Sequence, residues 1–317
     1  MKTADPGTIV VVGTSNLDLT LKVAHLPQSG ETVLGDYSRA GGGKAANQAV
    51  AAARMGAEVH LVTRLGDDAN GGEMRQLFAD DGIHLDAAKT VPGGTTGVAL
   101  IMVDAAANTM IGVAEGVNRF MDPSDLDQCA PLRSTDTTVI VELGIPAAVV
   151  ERLCELRKEV GFTLILNPAP YVNPLPDWSW PLLDVVTPNE IEAGMMTGIA
   201  VVDEATAIEA ALDLRARGVK RAAITLGAKG VAFADETGTG VIPAFQVTAV
   251  DTTAASDAFN GVLAVALTAE PTFPAALRFA NAAAALSVTK PGAQSSLPTR
   301  TEVLKFLETE RMGTLNV

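Results

Sequence analysis

Six short apolar runs rich in β-branched residues recur along the chain, at residues 9–12, 59–62, 138–141, 163–166, 185–187 and 222–226. Helix-period stretches at 45–54, 147–159 and 204–217 fall between several of them, each ending near a glycine. Runs without polar alternation are buried on both faces, and parallel neighbours need a crossover, usually a helix. Right-handed crossovers put helices on both sides, so the pattern predicts an α/β fold of three layers around a central, mostly parallel sheet. With 48% of 317 residues hydrophobic and 19% charged, the chain can fill such a core.

Two segments break the alternation. Leu17, Leu19, Leu21 and Val23 alternate with more polar residues before a turn at 27–30 and another run from Thr32. Residues 97–103 and 109–113 form a second pair, joined through 104–108. Both read as antiparallel strands outside the main sheet. The expected division is a large α/β domain of 1–13, 41–94 and 114–317, with a small inserted β lid of 14–40 and 95–113. The alternative is extra edge strands of the main sheet.

Asp plus Glu number 37 against 23 Lys plus Arg, a net charge of -14. Long-range repulsion argues against nucleic acid and anionic membrane as partners. Cys129 and Cys154 lack metal-ligand spacing and only three histidines accompany them, which suits a reducing, cytoplasmic setting. Residues 1–7 are polar and the run at 9–12 is too short for a signal or membrane segment, so no export or anchoring is expected. An anionic ligand would need a local device. One is offered between a strand-like run at 245–250 and a helix-period run at 259–267, where small residues let a backbone crowd a ligand at a helix start, with free N–H groups and the positive dipole end. Asp257 stands there, either as an ordinary helix-capping acid or as a functional one.

That segment, Asp251-Thr252-Thr253-Ala254-Ala255-Ser256-Asp257-Ala258-Phe259, resembles the Asp-Thr-x-(Gly/Ala)-Ala-Gly-Asp-x-Phe signature of the ribokinase (PfkB-type) family of carbohydrate kinases. Further matches follow in the family's order. They are Gly41-Gly42-Gly43-Lys44-Ala45-Ala46-Asn47-Gln48-Ala49, Asn167-Pro168-Ala169-Pro170, Thr187-Pro188-Asn189-Glu190-Ile191-Glu192, Thr225-Leu226-Gly227-Ala228-Lys229-Gly230 and Lys290-Pro291-Gly292-Ala293-Gln294-Ser295-Ser296.

The resemblance implies a ribokinase-like α/β domain with a β-sheet lid and a homodimer formed through that lid. It implies ATP-dependent transfer of the γ-phosphoryl group to the primary (5-) hydroxyl of a pentose, D-ribose foremost, with Mg²⁺ and activation by K⁺. A nucleoside, deoxyribose or ketohexose kinase is the alternative within the fold. Asp257 would be the base, held ionised by the helix dipole, and the amides of Ala254, Ala255, Ser256 and Asp257 the anion hole. Asn189 and Glu192 resemble the Mg²⁺ and phosphate organisers, though Pro188 could equally start an ordinary helix there. Thr225, Gly227 and Gly230 would follow the phosphates and ribose of the nucleotide, with Asn281 near adenine. Asp251, Thr253, Ser287, Lys290, Gly292 and Ser296 correspond to the monovalent-cation loops. On the sugar side Asn16 and Asp18, two apart on a strand, share a face and suit adjacent hydroxyls, with Gly43, Lys44 and Asn47 opposite.

Two positions depart from the family. Ser256 replaces the usual glycine before Asp257. If that position needs positive φ or a bare backbone, the side chain costs about 1 kcal/mol or more, and a catalytically weak sugar-binding regulator becomes an alternative function. Otherwise Ser256 acts as an N-cap or an added donor. Gly144 replaces a substrate-contacting Glu in the run Val141 to Pro146. Either Glu142, about 6 to 7 Å earlier on the same face, fills the space, or the space admits a different sugar.

Overall fold

The computed structural model describes residues 7–106, 108–172 and 174–314. Residues 1–6, 173 and 315–317 of the expected large domain and residue 107 of the expected turn at 104–108 lie outside it. In chain order the first half holds β1 (Thr8–Val12), β2 (Asn16–Val23), β3 (Gly35–Gly42), α1 (Lys44–Arg54), β4 (Glu58–Gly66), α2 (Ala69–Asp80), β5 (Ala88–Val91), β6 (Gly97–Val103) and β7 (Thr109–Ala114). Then come β8 (Thr137–Glu142), α3 (Ala147–Val160), β9 (Thr163–Asn167), β10 (Val185–Val186), α4 (Glu190–Thr197) and α5 (Glu204–Ala216). The chain continues through β11 (Arg221–Thr225), β12 (Val231–Asp235), β13 (Gly238–Ile242), α6 (Ala255–Ala269), α7 (Phe273–Ser287) and α8 (Arg300–Thr314).

Among the described residues the main sheet runs β13-β12-β11-β10-β9-β8-β1-β4-β5. Every pairing from β11 to β5 is parallel, and β12 reverses against both β11 and β13. The strand period of two sends Ile9 and Val11 into a core with α1, α2, α6, α7 and α8, and Val10 and Val12 into a second core with α3, α4 and α5. These are the three layers expected of α/β alternation.

The second sheet is separate from the first and runs β3-β2-β6-β7. Here the strand directions need correction: β2–β3 and β6–β7 are antiparallel, but β2 and β6 pair in parallel. The chain leaves β3 through α1, β4, α2 and β5 before it returns as β6, and a crossover of that length allows parallel entry. The strands also run slightly past the expected limits, to Gly42 and Ala114.

Three other expectations change. Residues 245–250 form no strand; Pro243 lies just upstream, and Val250 N donates instead to Val288 O across to the end of α7 (2.7 Å). The run at 185–187 yields only the two-residue β10. The β12–β13 hairpin, unpredicted, turns on Asp235, whose Oδ1 accepts from the amides of Thr237 and Gly238 (2.7 and 3.0 Å).

Candidate active site

The parallel strands point their C-terminal ends at one region, the usual ligand side of an open α/β sheet, and α6 begins there. Ala254 precedes the helix with φ 60° and ψ 12°, and no side chain caps it; the Ala255 N–H, expected in the anion hole, donates instead to Thr252 O (3.3 Å), which leaves the N–H groups of Ser256 and Asp257 to face an anion. The left-handed residue is therefore Ala254, not Ser256. Ser256 lies inside the first helical turn with an exposed side chain, so positive-φ strain does not apply to it and it is not the N-cap.

Asp257 follows one residue later and is buried. Its Oδ2 accepts from Asn47 Nδ2 (2.9 Å) and its Oδ1 from Gln48 Nε2 (3.1 Å), both from α1. Burial pushes its pKa up, with Lys44, Asn47 and Gln48 opposing. The expectation that the helix dipole would hold it low is corrected: desolvation outweighs the favourable partners. Asp18 faces it electrostatically. Burial, then the charge of Asp257, raises Asp18 to about 7. Lys44 lies among the carboxyl groups, lowering Asp257, Glu142 and Glu192 against their burial.

The glycine motif shapes this corner. Gly43 has φ 91°, which L side chains rarely adopt. A Cβ on Gly42 would stand 2.2 Å from the Asp18 carboxylate. Asn16 Oδ1 accepts from Asn118 Nδ2 (2.9 Å), and Asn118 also bonds Ser15 through its backbone N and O. Glu142, wholly buried, accepts from Thr14 N (2.6 Å) and from Gly144 N. A Cβ at Gly144 would lie 2.7 Å from Glu142 Oε2, so the space left by Gly144 is filled by the Glu142 carboxylate. Glu142 thus holds the β1–β2 connection, which carries Asn16 and Asp18, against its own turn.

On the other flank Asn189 and Glu192 cap α4 reciprocally: Asn189 Oδ1 accepts from Glu192 N (2.8 Å) and Glu192 Oε2 from Asn189 N (2.9 Å). Thr225 N donates to Pro188 O (2.9 Å), setting Thr225 beside Asn189, and Leu226 N donates to Gly230 O (2.8 Å) to close the Gly227–Gly230 turn. Asn281 Nδ2 bonds Pro243 O (3.0 Å). Asp251 joins the two remaining loops, accepting from Thr253 N (2.9 Å) and Gly292 N (2.8 Å). Ser287 and Ser296 bond back to Ala284 O and Ala293 O, and Lys290 turns to Glu302 on α8 (2.8 Å).

The sequence profile of the pfkB family of carbohydrate kinases matches residues 7–300. The chain belongs to this family. A ribokinase of Haemophilus influenzae is 42% identical over 302 residues, covering 95% of this chain and 98% of that protein. A deoxyribokinase of Salmonella typhi is 34% identical over 301 residues, covering 94% and 98%. The structure of Arabidopsis thaliana ribokinase complexed with ribose and ATP superposes with a TM-score of 0.85 at 31% identity, covering 95% of this chain and 98% of that one.

For a pfkB-family kinase, the site also contains groups that sequence reasoning did not assign. Gln48 lies within the quoted glycine motif, where its neighbour to Asn47 was the available signal. Asn118, on a short 3₁₀ turn, carried none. Asn167 ends β9 fully buried with both amide atoms unpartnered, as are Asn47 Oδ1 and Gln48 Oε1, and buried amides without partners mark where ligand groups can bind.

Proposed function

We infer that this chain is an ATP-dependent ribose kinase, converting D-ribose to ribose 5-phosphate. The observation that carries this is Asp257: a buried carboxylate in the first turn of α6, among its uncapped N–H groups, and opposite Asp18. A carboxylate made more basic by burial suits removal of a hydroxyl proton. The sugar oxygen bonds to the γ-phosphorus, the bond from that phosphorus to the β-γ bridging oxygen breaks to release ADP, and the hydroxyl proton passes to Asp257. The N–H groups of Ser256 and Asp257 stabilise charge on the transferred group without net protein charge. Asn16, Asp18, Gly43, Lys44 and Asn47 grip the sugar, and the unpartnered oxygens of Asn47 and Gln48 supply further acceptors. Glu142 acts as a positioning residue.

Thr225, Gly227, Gly230 and Asn281 form the nucleotide flank. Mg²⁺ fits the donors present, because the capping box uses one oxygen of Glu192 and leaves the other free beside Asn189. Bound there, the ion would neutralise charge on the triphosphate. K⁺ fits the loops that Asp251 ties together, where Thr253, Ser287, Gly292 and Ser296 offer carbonyl and hydroxyl oxygens; the Lys290 ammonium is drawn off to Glu302.

The small sheet is a lid over the sugar, supported by Asn16 and Asp18 starting β2. Tyr37, Leu100, Met110, Ile111 and Val113 are exposed on it, and edge strands β3 and β7 are open, which supports homodimerisation through the lid. A cytoplasmic setting is supported by Cys129 and Cys154, both free, buried and pushed up to about 11 and 12 by burial. Among the described residues no helix is long and apolar enough to cross a membrane.

A second reading is 2-deoxyribose. Gly144 carries no carboxylate and both oxygens of Glu142 are engaged by backbone, so neither position adds an acceptor for a sugar hydroxyl, which weakens discrimination against the deoxy sugar. The test is ADP release with ribose, 2-deoxyribose, fructose and adenosine, with the phosphorylated position read by NMR. Highest kcat/KM for ribose at the 5-hydroxyl is expected; preference for a nucleoside or no turnover on any of the four overturns the inference.

A further inference from the structure

The margin of the sheet opposite the phosphoryl-transfer site carries a cluster that the reaction does not use. Glu58 and His60 stand two apart at the start of β4, so both project from one face. His84, between α2 and β5, is bridged in parallel to His60: His84 N donates to Val59 O (2.8 Å) and Leu61 N to His84 O (3.1 Å). This backbone ladder holds the two imidazoles stacked, their centroids 4.5 Å apart and their planes 16° from parallel. Glu58 Oε1 lies 3.4 Å from His60 Nε2 and 3.9 Å from His84 Nε2. The other oxygen, Oε2, accepts from Thr8 Oγ1 (3.1 Å), and Thr8 is the register partner of Glu58 on β1. One ligand atom from each of Glu58, His60 and His84 falls within 4.8 Å of the other two.

We propose that Glu58, His60 and His84 bind a borderline divalent transition ion of the Zn²⁺ class. Two imidazole nitrogens with one carboxylate oxygen select Zn²⁺, Cu²⁺ or Ni²⁺ over the hard ions Mg²⁺ and Ca²⁺. Metal–ligand distances of about 2.0 to 2.2 Å require the three atoms to draw slightly closer. The half-exposed His84 ring supplies that movement by turning out of the stack about its χ2, a broad torsion. The Thr8 hydroxyl already orients the carboxylate, as outer partners of metal ligands do. Three protein ligands leave one position for water or an incoming group. Because the ligands come from β4 and the segment before β5, with Thr8 of β1 behind them, the bound ion acts as a clamp on this margin of the sheet, away from Asp257.

The test is calorimetric titration of the EDTA-stripped full chain with ZnCl₂, alongside His84→Ala, His60→Ala and Glu58→Gln. One ion per chain is expected, weakened at least tenfold in each histidine variant and not displaced by millimolar Mg²⁺. Thermal melting is expected to shift upward with Zn²⁺ in the unaltered protein and not in His84→Ala, since a ligand that binds only the folded state stabilises it. Unchanged kinase turnover without Zn²⁺ shows that the variants fold. Imidazole NMR of the unaltered chain gives an independent readout, with His60 and His84 shifting on Zn²⁺ addition and His25, the third histidine, unmoved. No stoichiometric binding, equal affinity in His84→Ala, or shifts confined to His25 would overturn the proposal.

Discussion

Ala254→Gly and Ser256→Gly are chemically similar changes two residues apart, and the backbone predicts opposite effects on stability. Among the described residues Ala254 is the one non-glycine with positive φ. A Cβ in the left-handed region costs about 1 to 2 kcal/mol. Glycine removes that cost but returns about 0.4 to 1 kcal/mol through the greater freedom of the unfolded chain. The net for Ala254→Gly is a stabilisation of about 0.8 kcal/mol, taking the middle of both ranges. Ser256 is helical, so glycine there relieves nothing and loses about 0.5 kcal/mol of helix propensity. The two variants should differ by about 1.3 kcal/mol, or roughly 2 °C in Tm for a chain of 317 residues. Differential scanning calorimetry of the ligand-free proteins reads this directly. A Ser256→Gly protein more stable than Ala254→Gly would refute the assignment of strain to Ala254. With no φ strain to relieve at 256, Ser256→Gly is also expected to leave kcat without an increase.

Two further outcomes follow from buried carboxylates. Glu142→Gln replaces one acceptor oxygen by an amide that opposes a backbone N–H of Thr14 or Gly144; a buried donor left unpaired costs about 1 to 3 kcal/mol, so Tm should fall and the ribose KM should rise, and an unchanged Tm contradicts the clamp. Asp18, raised to about 7 from 3.8, binds a proton in the folded chain that the unfolded chain has lost, so its contribution is full below about 4 and disappears as pH rises through 7. Asp18→Asn should therefore raise the Tm of the ligand-free protein at pH 8 relative to the parent and much less at pH 4.5; equal shifts at both would show that Asp18 titrates normally.

The layered architecture was legible because buried parallel strands must be apolar on both faces, and five of the six runs became strands of ordinary length. The edge hairpin β12–β13 was harder to see: its turn depends on a single Asp235 bond pattern. The direction of β6 against β2 was not in their alternation at all, since a period of two is the same in parallel and antiparallel sheets. Residues 245–250 had strand composition but no neighbour to pair with, and pairing is what makes a strand. At the site, contiguous motifs exposed Asp257, Lys44 and Asn47. Gln48 and Asn118 depend on contacts across 209 and 102 to 103 residues of sequence, which spacing cannot reveal. The misplaced strain at Ser256 has the same origin: the signature marks a tight helix start, but only the backbone shows that the left-handed residue is two positions earlier.

The role of Asp257 is tested most directly by Asp257→Asn, which keeps the shape of the side chain and removes its basicity. Loss of a positioned general base lowers rate by about 10² to 10⁴. Single-turnover phosphorylation of ribose should slow by at least about 100-fold, while calorimetry shows ribose still bound with similar affinity. A variant that transfers phosphate within tenfold of the parent rate would contradict the assignment of Asp257 as the base.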